Sequence, residues 1–300
     1  MLIVLLLALS WDLMLGEPPS WLHPVCWLGH GIGWAERIAP RSATGQLIFG
    51  GVVTAFFIGL AGGLGLVAER LAPPLGWLMG AFLLKSAFAW RELVRAGARV
   101  ARALDEQDIE GARTKVGQIV SRDVSRLEAS GIAAAAVQSV AENLCDSLVA
   151  PLFFYALLGL PGALVYRAAN TLDAMIGYRG RYEYLGKPAA RLDDLLNYLP
   201  ARLAALVLLV LASLRGRSGW RVWWHDHRAT PSPNGGHPMA AAAGVLGVEL
   251  EKLGHYRLGT GPRPDAGTIR QMNRYAGAVG VATVLLTTVS AIAIHRGTLP

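Results

Sequence analysis

Ser139, Glu142, Asn143 and Asp146 lie at offsets of zero, three, four and seven in a stretch that is otherwise Ala-rich or apolar. On a helix they form one polar stripe. An ionised group at the centre of a bilayer costs about 2.5–3.5 kcal/mol on insertion scales. Two carboxylates facing lipid would be hard to explain, so the stripe should face a cavity, a cation or a partner. A helix lying at the membrane interface, with these groups merely solvated, is the plainer alternative. Arg167, Asn170 and Asp173 repeat the pattern at three-residue spacing. Asn170 and Asp173 share a helix face, and Arg167 can reach either; a structural Arg–Asp pair is the plain reading. A third cluster holds Arg191, Asp193, Asp194, Asn197 and Arg202. Asp193 and Asp194 are each within one helical turn of Asn197. Adjacent acids point in different directions, so at most one of them meets a given metal or substrate. Carboxylates converging near Asn side chains suit a hard, oxygen-ligated cation such as Mg²⁺. They do not suit zinc, because no His or Cys set stands nearby at ligand spacing.

A different kind of segment runs through Thr230-Pro231-Ser232-Pro233-Asn234-Gly235-Gly236-His237-Pro238 into Met239 and four alanines. Gly frees the backbone and Pro suits a helix start. The amides of such a start can hold a phosphate or carboxylate, although many helices start this way without a ligand. There is no GxxxxGK[ST] sequence, so any ATP site is not a P-loop. Asp12, Glu17, His23 and His30 flank a Pro-rich break near the beginning, where a lone His is more often a structural hydrogen-bonding group. No Ser/His/Asp triad stands out.

The elements that must carry these groups are apolar helices. Of 300 residues, 53% are hydrophobic and 16% charged, against about 25% charged in soluble domains. Leu47–Ala68 is a charge-free run of 22 residues and Ala276–Ile294 one of 19. At about 1.5 Å per residue, the longer run spans a hydrocarbon core of about 30 Å. Weaker candidate spans are Pro73–Trp90 with Lys85, Ser147–Tyr166 with Pro151 and Pro161, Leu203–Leu214, and Leu2–Leu9. The last lacks a basic leader, and Trp11-Asp12-Leu13 replaces a small-residue cleavage site, so it reads as a retained membrane segment. About five or six membrane segments are expected.

Residues 91–130 carry 8 Lys+Arg and 7 Asp+Glu and read as an extramembrane arm of two amphipathic helices. Leu93, Ala96, Val100 and Leu104 recur at helical spacing, and Asp105 is the expected N-cap of the second helix. Residues 215–275 carry 9 Lys+Arg against 4 Asp+Glu and read as a Gly/Pro-rich extramembrane loop region on the cytoplasmic side. Crossings at 147–166 and about 199–214 would put both polar regions on one side. They would leave Arg167–Tyr198 on the other, unless that segment dips back into the membrane or one span does not cross. The net charge of +7 reads as orienting loop charge rather than a nucleic-acid site. Cys26 and Cys145 read as small apolar residues.

Several of these segments occur in an order that resembles the membrane-bound adenosylcobinamide-phosphate synthase family of cobalamin biosynthesis (CbiB/CobD). They are Asp12-Leu13-Met14-Leu15-Gly16-Glu17-Pro18 with His23-Pro24-Val25, then Ser121-Arg122-Asp123-Val124-Ser125, then Ser139-Val140-Ala141-Glu142-Asn143. Ala169 to Gly177, Ala190-Arg191-Leu192-Asp193-Asp194 with Pro200-Ala201-Arg202, and Pro231 to Gly236 follow. The resemblance covers about residues 2–250. The chain departs from the family pattern at His237, where an aromatic residue is usual, at Met239, where Glu is usual, and at Leu144-Cys145, which replace a more polar pair.

The resemblance implies an all-α polytopic membrane helical bundle, residues 1–300 forming one integral membrane domain of the cell membrane. It implies ATP-dependent, Mg²⁺-assisted amide ligation. (R)-1-Aminopropan-2-ol, or its O-phosphate, is joined to the propionate carboxyl of adenosylcobyric acid. Glu142, Asp146, Asp173, Asp193 and Asp194 are the expected catalytic acids, with Asp146 and Asp173 expected at the metal. Arg122, Asp123, Asn143, Asn170, Arg191, Asn197, Arg202, Ser232, Asn234 and Gly235 are the expected substrate-binding residues, in a cytoplasm-facing site. Partners are adenosylcobyric acid, the aminopropanol or its phosphate, and the lipid bilayer. A homo-oligomer or a complex with other corrinoid-pathway enzymes is compatible with the family; nucleic acid is not expected. A transporter using intramembrane acids and a non-catalytic regulatory membrane protein are the alternatives.

Overall fold

The computed structural model describes residues 1–178 and 180–295. It contains thirteen α-helices, one π-helical turn and one two-stranded hairpin among the described residues. The chain divides into two compact units. One comprises residues 1–89, 150–197 and the chain from 284 on; the other comprises 90–149 and 198–283.

The first unit contains α1 (Leu2–Met14), α2 (Pro24–Arg37), α3 (Ala43–Arg70), α4 (Leu75–Ala87), α8 (Ala150–Ile176) and α9 (Lys187–Leu196). Ile32, Val53, Phe57, Leu172, Ile176, Leu185 and Ala189 form a buried cluster joining α2, α3, α8 and α9. That packing sets α9 against α8. Helix α8 is broken at Gly159, whose φ is +68°, a backbone setting that favours glycine. Pro161 follows two residues later and supplies no N–H. The break leaves amides without helical acceptors, and Glu69 of α3 accepts the Leu160 N–H at 2.8 Å.

Lys85 of α4 is fully buried, as is Asp12 of α1. The Lys85 Nζ lies 3.1 Å from Asp12 Oδ1 and 2.7 Å from Glu17 Oε1, and it donates to the Phe88 carbonyl at 3.1 Å. Glu17 also meets His23 Nε2 at 3.1 Å, and His23 Nδ1 caps α2 by accepting the Val25 N–H. Burial pushes the Glu17 carboxyl up, but His23 and Lys85 together outweigh it and hold it below its ordinary value.

The second unit contains α5 (Trp90–Asp105), α6 (Ile109–Gly117), α7 (Ala129–Leu144), a π turn (Cys145–Val149), α10 (Tyr198–Ser213), α11 (Trp220–Asp226) and α12 (Gly236–Leu246). The strands β1 (Leu250–Lys252) and β2 (Tyr256–Leu258) pair antiparallel, with Glu251 opposite Arg257. Helix α13 (Ala266–His295) begins in this unit. Helices α7 and α12 are Ala-rich and almost wholly buried. Small side chains let helices approach closely. The buried face of α5 carries Leu93, Ala96 and Val100, as its spacing predicts.

Three features differ from expectation. Asp108, not Asp105, is the N-cap of α6; its carboxylate accepts the Gly111 N–H at 2.8 Å. Asp105 is the last residue of α5 and pairs with Arg270. Gln107 adopts positive φ between them, so the turn is longer than the charge pattern suggests. Second, residues 215–275 hold two whole helices, the hairpin and the start of α13; their Gly and Pro residues mark element ends, as at Gly247, which closes α12 in a left-handed conformation. Third, three helical runs among the described residues are long and apolar enough to cross a membrane: Ala43–Arg70, Ala129–Ile176 and Ala266–Ala293. Lys187–Leu196 and Tyr198–Ser213 qualify only as a bent pair, which makes up to four. Helices α1 and α4 have 13 residues each. At that length they reach about 20 Å, short of a bilayer core. The bent pair is a broken span or a re-entrant loop, one of the alternatives that charge counting had required for this stretch.

Replacing Lys85 by Met removes the cation between Asp12 and Glu17. Leaving one partner of a buried pair costs roughly 3–5 kcal/mol. Thermal unfolding in detergent should show a large drop in melting temperature, and Asp12→Asn in the same chain should restore part of it.

Candidate functional site

The expected site residues fall into two groups, one within each unit. In the second unit, α7 carries Ser139, Glu142 and Asn143, and Asp146 lies on the π turn that follows. Part of this stripe is engaged locally. Ser139 Oγ donates to the Ile119 carbonyl at 2.6 Å, which ties α7 to the chain after α6. Asn143 Nδ2 donates to the Ser139 carbonyl at 3.0 Å, and Ser147 Oγ donates to Asn143 Oδ1 at 3.3 Å. The π turn rotates Asp146 away from the strict seven-residue register of an α-helix.

Arg122 approaches the same helix from the preceding loop. Its Nη2 donates to Gln138 Oε1 at 3.0 Å, while its Nε and the Gln138 Nε2 are buried without hydrogen-bond partners. Burial pulls the Arg122 guanidinium down, and Tyr256 and Glu142 act against that. Tyr256 of β2 is pushed up to about 12 by burial and by the Glu142 charge. Its hydroxyl meets Met239 Sδ at 3.7 Å. Asp123 is exposed, and its carboxylate accepts the Ser125 N–H at 2.9 Å.

Gly235 stands against Glu142. A Cβ at Gly235 would lie 2.7 Å from Glu142 Oε1, so this turn needs glycine for close approach rather than for an unusual φ. Arg202 Nη1 donates to Asn234 Oδ1 at 3.4 Å, and its guanidinium lies 3.6 Å from the centre of the Tyr198 ring. Ser232 Oγ accepts the N–H groups of Asn234 at 3.2 Å and Gly235 at 3.0 Å. Those two amides are therefore already occupied. The side chains of Arg202 and Asn234, rather than the whole row of amides, are the polar groups that this turn presents.

His237 lies in an aromatic cluster. Its ring centre is 4.5 Å from that of His227 and 5.9 Å from that of Trp223. Burial, then Arg202, His227 and Arg228, push the His237 imidazole down to about 4.

In the first unit, hydrogen bonds link α8 to α9. The Tyr166 hydroxyl donates to Asn197 Oδ1 at 2.9 Å, and Asn197 Nδ2 donates to Asp193 Oδ2 at 3.0 Å. Asn170 Nδ2 donates to the other Asp193 oxygen at 3.3 Å, and Arg167 Nη1 reaches Asn170 Oδ1 at 3.5 Å. Asp193 and Asn197 are buried, Asp173 and Asp194 are half-buried, and Arg191 is exposed. The Asn170 amide and the Arg167 guanidinium meet as their three-residue spacing predicts.

The two residues expected at the metal, Asp146 and Asp173, lie in different units. Among the described residues, no group of three or more His, Cys, Asp or Glu side chains is placed to hold a metal ion. Mg²⁺ is commonly held by one or two carboxylates together with substrate phosphates. The described carboxylates form no closed cage of protein ligands.

The CobD/Cbib protein family matches residues 5–294. A cobalamin biosynthesis protein CobD of Dehalococcoides mccartyi is 44% identical over 277 residues, covering 88% of each chain. A probable cobalamin biosynthesis protein CobD of Pyrococcus abyssi is 48% identical over 266 residues, again covering 88% of each. This chain belongs to the CobD/CbiB family. A cobalamin biosynthesis protein CbiB of Salmonella choleraesuis is 39% identical over 268 residues, covering 85% of this chain and 84% of its own. No solved structure matches.

Membership in the CobD/CbiB family makes the chain a multi-pass protein of the cell membrane and an enzyme of cobalamin biosynthesis acting at the amidation step.

Sequence reasoning missed Gln138, Tyr166, Tyr256 and Lys85. Gln138 precedes the Ser139 stripe by one residue, Tyr166 precedes Arg167, and Tyr256 lies more than a hundred residues from Glu142. Only Lys85, a single charge in an apolar run, carried a signal.

Replacing Asn197 by Leu removes the acceptor 2.9 Å from the Tyr166 hydroxyl and the donor 3.0 Å from one Asp193 oxygen. An unsatisfied buried polar group costs about 1–3 kcal/mol, more when charged, so chemical denaturation should report a loss of at least that size. A second outcome concerns pH. The folded state holds His237 neutral while the unfolded chain binds a proton near the ordinary value of 6.5. Stability should therefore fall as pH drops from about 6.5 to about 4, and His237→Phe should flatten that part of the profile.

Proposed function

We propose that this chain catalyses the ATP-dependent joining of (R)-1-aminopropan-2-ol, or its O-phosphate, to the propionate carboxyl of adenosylcobyric acid. The observation that carries this reading is the approach of Glu142 to the Gly235 turn, with Arg122 and Tyr256 in the same electrostatic neighbourhood. Family membership supplies the chemical context.

A free carboxylate does not react with an amine at neutral pH. Transfer of a phosphoryl group to one carboxylate oxygen gives an acyl phosphate and releases ADP. Attack by the neutral amine forms the C–N bond, breaks the C–O bond and releases phosphate. The amine must lose a proton on the way, and a nearby carboxylate suits that task. Glu142 is our choice, because its carboxylate lies close against the backbone of the Gly235 turn, where a Cβ would come within 2.7 Å of Oε1. Arg122 and Arg202 are suited to hold the phosphate or carboxylate of a substrate through charge-assisted hydrogen bonds. Mg²⁺, when bound with the triphosphate, would neutralise its charge; Asp146 is the carboxylate of the second unit that could hold it. In the first unit, Asp193 is held by Asn170 and Asn197, an arrangement that suits a fixed acceptor for substrate amides. Asp173 and Asp194 remain candidates for the same work.

The test uses detergent-purified protein with ATP, Mg²⁺, adenosylcobyric acid and each amine, with products followed by mass spectrometry. A corrinoid mass gain matching amide formation is expected with at least one amine. Glu142→Gln should reduce turnover by about 10²-fold or more without unfolding the protein, and Asp173→Ala should also lower it. No mass gain with either amine overturns the synthase reading.

A further inference from the structure

Helix α10 ends on an exposed apolar stripe. Leu206 and Val210 on the helix, and Leu214 just past its end, stand at four-residue spacing and are all exposed. Tyr198–Ser213 is the longer half of the bent pair that is apolar enough to cross a membrane, so this stripe belongs against acyl chains. Directly after it the composition changes. Residues 214–228 carry Arg215, Arg217, Arg221 and Arg228 against one acid, Asp226, together with Trp220, Trp223 and Trp224. All four arginines are exposed. None of them forms an ion pair among the described residues.

Helix α11 sorts these residues onto two faces. Val222, Trp223 and Asp226 are half-buried. The Trp223 ring lies 5.9 Å from that of His237, and Asp226 Oδ2 accepts the Gly259 N–H at 2.6 Å. Gly244 of α12 permits a close approach: a Cβ there would lie 2.8 Å from the Gly219 Cα. One face of α11 is thus seated on protein, and its acid is used there. The opposite face holds Trp220 and Trp224 one turn apart, with Arg221, His225 and, just past the helix end, Arg228 beside them at spacings of four and three. Trp224 is 69% exposed. Indole rings concentrate where membrane meets water, and a helix with tryptophan and basic residues on its outer face lies in that plane.

We propose that the outer face of α11, with Arg215 and Arg217 before it, binds the head groups of anionic phospholipids. Trp220 and Trp224 sit at the boundary between head groups and acyl chains, and Arg221 and Arg228 meet the phosphates. Two features select a lipid as the occupant. The apolar stripe on α10 runs directly into the basic segment, as acyl chains run into head groups. The exposed charge is of one sign, so the complementary surface is anionic. The assignment is independent of the reaction that the chain catalyses.

The test reconstitutes the full-length protein in vesicles of equimolar phosphatidylglycerol and phosphatidylcholine, with brominated acyl chains on one lipid or the other. Bromine quenches nearby indoles, and the Trp224 signal is the difference between the unaltered protein and Trp224→Phe. Brominated phosphatidylglycerol should quench that signal about fivefold more strongly than brominated phosphatidylcholine. Arg221→Gln/Arg228→Gln should bring the two close to equality, and Arg215→Gln/Arg217→Gln should lower the preference in part. All four positions are exposed, so melting temperatures should match that of the unaltered protein. Equal quenching by the two lipids in the unaltered protein overturns the proposal, because the face then lies in the interface without choosing a head group. No quenching by either lipid overturns it too, since the face then meets water or another protein. A preference unchanged in both double variants also overturns it, because these arginines then do not select the lipid.

Discussion

The ion pair between Lys85 and Asp12 sets the condition under which the rest of this protein must be built. Both groups are fully buried, and neither has water to fall back on. A buried charge survives only when paired and hydrogen-bonded. Lys85 meets this requirement through two carboxylates and a carbonyl, and so fixes α1 and the turn after it against α4. The same rule operates at the break in α8. There the chain gives up helical hydrogen bonds at Gly159 and Pro161, and Glu69 from α3 takes up a freed amide. Irregular backbone among apolar helices is tolerated where protein groups satisfy it.

The candidate site residues obey the same rule in two ways. Asp193 is satisfied from both sides by Asn170 and Asn197, and Tyr166 completes the chain. This is a closed network, suited to holding a carboxylate in one place. The groups around α7 are less complete. Arg122, Gln138 and His237 each keep a buried nitrogen without a partner. An unsatisfied donor is disfavoured in a structural core. Aromatic and thioether surfaces from Tyr256, Met239 and the His227–His237 stack border the same region.

For amide formation this division is chemically useful. The reaction needs cations to hold phosphate, a carboxylate to accept a proton and fixed dipoles to orient a large substrate. Arg122, Arg202 and Glu142 are the groups that suit the first two tasks in the synthase we propose. Glycine at 235 matters because it lets the Glu142 carboxylate approach the turn more closely than any side chain would allow. Ser232 matters differently: by taking the amides of Asn234 and Gly235, it sets the shape of the turn and leaves recognition to side chains.

Much of this was legible in the residues themselves. Low charge content and the runs at 47–68 and 276–294 required apolar membrane helices, because no soluble fold hides such lengths cheaply. Three- and four-residue spacing placed Asp193 beside Asn197 and Arg167 beside Asn170, because helical neighbours are fixed by local geometry. The order of short segments identified the family. The sequence did not reveal that α1 and α4 are short helices joined by a buried lysine, that Asp108 rather than Asp105 starts α6, or that Tyr256 and Arg122 stand near Glu142. Helical periodicity reports which residues share a face, but not which distant segment covers that face. Contacts such as Lys85 with Asp12 and Gly235 with Glu142 are separated by many tens of residues. They are decided only when packing and the need to satisfy buried polar groups choose among the possible neighbours.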